Sequence, residues 1–113
     1  MSDAIQVVTT AASQEEAQAI ARAVVSRRLA ACAQVMGPIT STYRWQGNIE
    51  TSGEWLCVMK TLRSHYPRLE AAIRELHSYE VPEILAVPVV AGSRGYLDWL
   101  TGELTDLSGP SVV

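Results

Sequence analysis

The chain has no phenylalanine and, in 113 residues, only two cysteines and two histidines. Cys32 and Cys57 lie in separate apolar runs, not in a CxxC pair, which excludes a zinc knuckle and a thioredoxin motif and marks both as reduced thiols. With His65 and His77 the only imidazoles, general acid–base options are few. No nucleophile elbow, Walker loop, HExxH, dinucleotide fingerprint or kinase set occurs either, so the expected protein is not an enzyme. No uncharged apolar run reaches about 18 residues, and no membrane partner is expected. Nine basic against twelve acidic groups, with a pI near 5.3, leave no dense basic stripe, and nucleic acid is not an expected partner. Residues 1–3 lead straight into an apolar stretch without the basic segment of a secretory leader, so the expected compartment is the cytoplasm.

What is present is an apolar fraction of 48% in a single domain's length of chain. Such a chain buries roughly two-thirds of its unfolded surface without disulfide or metal staples. One domain over 1–113 is predicted, with its core within about 4–105 and a frayed tail at 106–113. Ile5, Val7 and Val8 followed by two threonines predict a first strand, since β-branched side chains suit a pleated surface. Ser13 three residues before Glu16 is a capping box, and Ala17, Ile20, Ala21 and Val24 repeat at helical spacing, predicting a helix over 14–29. Arg27 and Arg28 suit its negative end.

A long second strand, interrupted at Gly37-Pro38, runs to Trp45, and Gly47-Asn48 reads as a type II′ turn. A third strand returns over 49–62, apolar on both faces from Trp55 to Met59 as a central strand should be. That turn places Cys57 opposite Pro38 and Cys32 opposite Arg63, with the thiols roughly 20 Å apart, which excludes a disulfide within the chain. Leu69, Ala72, Ile73 and Leu76 mark a second helix over 66–77. Residues 84–90 form a further strand whose Pro88 puts it at a sheet edge, and Tyr96, Leu97, Leu100 and Leu104 mark a last helix. The order βαββαβ plus a C-terminal helix is the α+β, ferredoxin-like split-βαβ pattern, with an antiparallel sheet and an extended hairpin between its second and third strands.

Candidate ligand groups are sparse. His77, at the end of the second helix, is read either as a metal ligand or as a cation complementing the helix dipole. Cys32 is either a soft donor to copper or zinc or a small buried hydrophobe. Lys60 shares a strand face with Leu56 and Val58, and either pairs with Glu80 or Glu83 or reaches water at the sheet rim. Tyr43 and Trp45, with Arg44 between them, project from the hairpin too far from the core for this chain's own helices to cover them. They predict an oligomer interface.

Ala31-Cys32, residues 37–41, Tyr43-Arg44-Trp45-Gln46-Gly47, Lys60-Thr61, residues 77–83 and residues 96–100 together resemble the CutA divalent-cation tolerance family. The resemblance runs from about Ile5 to Leu104. It implies a ferredoxin-like homotrimer built like the trimeric PII signalling proteins, active in the response to divalent metal ions, with copper ahead of zinc and no obligatory cofactor. In copper-binding members the ligands proposed are a cysteine ending the first strand and two adjacent histidines. The matching positions here are Thr9, Leu76 and His77, which implies a weak or partial site at His77, with Cys32 or a neighbouring subunit as a further donor. The alternative implied is a PII-like sensor or scaffold, taking a small anionic metabolite or a partner protein in a cleft between subunits bounded by Lys60, Tyr79, Glu83 and Trp45.

Overall fold

The computed structural model describes residues 3–105. The tail expected to fray, 106–113, lies outside the described residues. The elements are β1 (Ala4–Ala11), α1 (Gln14–Ser26), β2 (Cys32–Trp45), β3 (Asn48–Leu62), α2 (Tyr66–Leu76), β4 (Ile84–Pro88) and α3 (Arg94–Thr105), with a single 3-10 turn at Arg63–His65 leading into α2. Every strand pair is antiparallel and the sheet order is β2-β3-β1-β4. This is the predicted ferredoxin-like α+β arrangement, with both proline-bearing strands at the edges.

The helical repeats account for the core. Ile20 and Val24 of α1 and Leu69, Ala72 and Ile73 of α2 are buried against Ile5, Val7, Cys57 and Met59 of the two central strands, and Ala17 of α1 is buried as well. Ser13 caps α1 by accepting the Glu16 N–H at 3.1 Å, and a Glu16 carboxylate oxygen accepts the Ala12 N–H at 3.3 Å. The helix stops at Ser26, short of the predicted end. Arg28 takes φ 57°, and the Leu29 and Arg28 N–H groups close back on the Val24 and Val25 carbonyls at 2.9 and 3.0 Å. Arg27 and Arg28 therefore form the left-handed stop instead of the last helical turn. The Arg28 guanidinium instead donates to the Glu103 carbonyl near the end of α3, at 2.9 Å.

The hairpin turn lies one residue earlier than predicted. Gln46 and Gly47 occupy its centre with φ 52° and 84°, and positive φ at both central positions is the type I′ signature, not type II′. Cys57 consequently sits opposite Val35, and Cys32 opposite Lys60, both thiols free. A bulge adds to the shift: Met36 pairs with Leu56 but Ile39 with Glu54, so Gly37 and Pro38 together oppose Trp55. The Gly37-Pro38 peptide is cis. Gly37 is required by proximity, because a Cβ there would lie 2.9 Å from the Trp55 ring.

The two faces of the sheet are treated differently. Helices α1 and α2 cover one face, while on the other α3 covers only the end at Ala4 and Leu62, through Leu100 and Leu104. Over the rest of that second face Met36, Leu85 and Val87 are 48%, 60% and 50% exposed. Beyond Trp55, the last β3 residue paired to β1, the β2–β3 hairpin continues unaccompanied and extends the molecule to 50 Å along its long axis. No helix among the described residues is long and apolar enough to cross a membrane.

Candidate functional site

The linker from α2 to β4 folds over the end of β1 through one imidazole. The His77 side chain is fully buried. Its Nε2 lies 2.6 Å from the Thr10 carbonyl and its Nδ1 3.1 Å from the Tyr79 N–H. A carbonyl can only accept and an N–H only donate, so these partners assign a neutral ring with its proton on Nε2. Glu16 completes the junction. One of its oxygens belongs to the capping box, while Oε2 accepts the Ser78 N–H at 2.8 Å and lies 3.6 Å from His77 Nδ1. Burial raises the Glu16 carboxyl pKa, but the hydrogen bonds from Ser78 and Ala12 outweigh it, holding the group below its ordinary value.

Beside this junction, the hairpin and the linker enclose an open groove of about 530 Å³. Its aromatic lining is Tyr43, Trp45 and Tyr79, and its carboxylates are Glu54, Glu80 and Glu83. Glu54 continues the alternation of Leu56, Val58 and Lys60, which places it on the half-covered face of the sheet, and only 7% of it is exposed. The Tyr79 hydroxyl donates to Glu54 Oε2 at 2.7 Å. Burial, then that bond and the charge of Glu54, push the Tyr79 phenol well above its ordinary value, so it remains a donor at any ordinary pH. Tyr43 is steadied by a hydroxyl contact to Ser52 at 3.1 Å.

Of the residues singled out in the sequence, Tyr79, Glu83, Tyr43 and Trp45 meet in this groove, with exposed Arg44 beside them on the hairpin. Lys60 does not line it. It lies six residues along β3 from Glu54, roughly 20 Å away, and its ammonium contacts Gln34 instead of Glu80 or Glu83. Cys32 pairs with Lys60 at that same far end, adjoining the Tyr96 hydroxyl, whereas His77 sits at the Thr10 end. One chain therefore does not bring Cys32 and His77 together. Among the described residues no three His, Cys, Asp or Glu side chains are grouped closely enough to hold a metal ion. Thr9, at the position matching a family cysteine, is buried with its hydroxyl unpartnered among the described residues. The second histidine is structural: His65 Nε2 donates to the Leu104 carbonyl at 3.0 Å, tying α3 to the start of α2.

Glu54 carries no motif. Its signal in the sequence is strand parity, since the apolar face that ends in Lys60 begins in Glu54. Glu16 was legible only as half of a capping box, and its second contact is long-range.

A comparison with protein families matches residues 5–103 to the CutA1 divalent ion tolerance protein model. The chain belongs to this family. It is 46% identical over 94 residues to a divalent-cation tolerance protein CutA of Thermus thermophilus, covering 83% of this chain and 91% of that one. It is 45% identical over 91 residues to Protein CutA of Mus musculus, covering 80% of this chain but 51% of the mouse protein. The fold superposes on crystalline CutA of Xylella fastidiosa with a TM-score of 0.88 at 38% identity, over 91% of this chain and 99% of that one. Membership in the CutA1 family and the ferredoxin-like fold thus agree across nearly all of the described chain.

Proposed function

We propose that this CutA1-family chain works as a non-catalytic homotrimer in the cytoplasmic response to divalent cations, copper foremost, and that its own metal contact is weak. The observation carrying this reading is the state of His77. It is the one histidine among the three positions that the family resemblance marks as ligands, and both its ring nitrogens are already engaged, by Thr10 and Tyr79. A soft cation must displace the Tyr79 N–H from Nδ1 to bind, with the carboxylate of Glu16 beside it and no third ligand side chain grouped there among the described residues. The anionic-metabolite alternative gains nothing from the groove, which presents three carboxylates and has no Lys or Arg in its lining.

Copper(II) titration followed by calorimetry tests the metal contact. The wild-type chain is expected to bind with a Kd weaker than about 1 μM, less than ~8 kcal/mol of binding free energy, and His77→Ala to abolish what binding there is. Equal affinity in the two proteins would remove His77 from the site, and a nanomolar Kd would contradict a weak contact.

A further inference from the structure

Away from the hairpin, a second pocket, of about 490 Å³, opens where α1 ends, α2 begins and α3 stops. Arg27, Arg28 and Arg68 line it around His65, with Leu104 and Thr105 on the α3 side, and its lining includes no carboxylate. Three of the chain's nine basic groups thus share one concavity in a molecule of formal charge -3. The start of α2 adds to the positive field, since it has neither a side-chain cap nor an acidic residue in its first turn. None of these residues belongs to the hairpin, to its groove or to the exposed apolar strip of Met36, Leu85 and Val87.

Part of this charge serves the fold. Arg28 and His65 each donate to one carbonyl at the end of α3, those of Glu103 and Leu104, and Arg27 lies 3.6 Å from the Glu75 carboxylate with both side chains exposed, a pair of little energetic weight. What remains is large. Arg28 uses a single N–H there and its planar fork has further donors, while Arg68 makes no hydrogen bond or ion pair among the described residues. Arg28 also occupies the left-handed stop of α1, at φ 57°, where a β-carbon is disfavoured and glycine is the usual residue. Strain of that kind gathers at functional sites, and here it sets a guanidinium at the pocket wall.

The arrangement also indicates the kind of anion. A carboxylate presents both oxygens in one plane and suits one guanidinium, whereas a phosphate offers oxygens in several directions and accepts from donors on separate elements, as these arginines are. The volume exceeds what one inorganic ion needs and lies in the small-molecule range, and no Tyr or Trp lines the pocket to stack a base. We propose that this pocket binds a small anion of the di- or triphosphate class, held by Arg28 and Arg68 with Arg27 at the rim. The site depends neither on the His77 contact nor on the number of chains in the assembly, so failure of either leaves it standing.

Isothermal titration of the full chain with inorganic pyrophosphate, at low ionic strength and without divalent cations, tests it. Saturable binding is expected in the wild type, weakened about tenfold or more in Arg68→Gln, which changes an exposed side chain only. The same loss is expected in Arg28→Gly, which relieves the left-handed residue while removing its guanidinium. Arg94→Gln makes an equal change of charge at the other end of α3, outside the pocket, and is expected to bind as the wild type does. No saturable binding, or full affinity in either Arg68→Gln or Arg28→Gly, overturns the proposal. An equal loss in Arg94→Gln also overturns it, since net charge alone would then account for binding. Citrate binding as tightly as pyrophosphate would mark a general basic patch and likewise reject it. Binding more than about tenfold tighter in Asp106→Asn rejects it as well, because that result identifies the pocket's occupant as the chain's own carboxylate.

Discussion

At Glu16 one side chain does two jobs: one oxygen caps the start of α1, and the other holds the Ser78 N–H and thereby the linker that carries His77 and Tyr79. Its pKa is depressed in the fold from the ordinary 4.5. The sign follows: the ionised group contributes stability above that value, and the contribution is lost as pH falls through the lower, folded pKa. Glu16→Gln is expected to cost about 1 kcal/mol at neutral pH and to show a flatter loss of stability on acidification than the wild type. Urea denaturation at several pH values between neutrality and pH 3 reads this, and parallel curves for the two proteins would exclude the role. Cys57, in the core, is a different kind of residue: burial pushes its thiol up to about 11, so it behaves as core filling and not as a nucleophile.

At the scale of elements, the bulge in β2 joins the covered sheet to the free hairpin. Gly37→Ala would drive a Cβ to within 2.9 Å of the Trp55 ring and 3.2 Å of the Glu54 carbonyl, so the strand or the indole must move. A loss of about 1–3 kcal/mol is expected, measured as a lower urea midpoint, and a neutral effect would show that Trp55 is free to swing away. The same region separates what the sequence discloses from what it does not. Helix faces were legible because period 3.6 exposes them directly, and the strand order because prolines fall where edges are. The register was not, because Gln46 adopts positive φ without being glycine and because an extra residue enters at Gly37-Pro38. Those two local events shift the β2–β3 partners, including those of both cysteines across that pair. Tyr79, Glu83 and Trp45 were grouped only through the family resemblance, in a cleft between subunits that also took in Lys60, while Tyr43 was read separately as interface. Glu54 was not legible, since its burial arises only when Tyr79 arrives across the end of β1. For the same reason the engaged nitrogens of His77 depend on a carbonyl 67 positions away and leave no trace in spacing.

For the whole molecule, the governing feature is the face that α3 covers only at one end. Met36, Leu85 and Val87 stay about half exposed there, beside intermediate Val8 and Leu56, and the aromatic hairpin extends from the same face. A continuous apolar surface of this kind on an otherwise well-packed domain marks an interface. With the same face and hairpin available on every copy, closed cyclic assembly buries it without leaving an open end. The trimer is therefore the claim on which the functional account turns, because it sets what lies against the groove and whether any neighbour supplies a second metal donor. Light scattering coupled to size exclusion at micromolar concentration tests it most directly. The account predicts a mass three times the 12.3 kDa of one chain, whereas the mass of a single chain would contradict it.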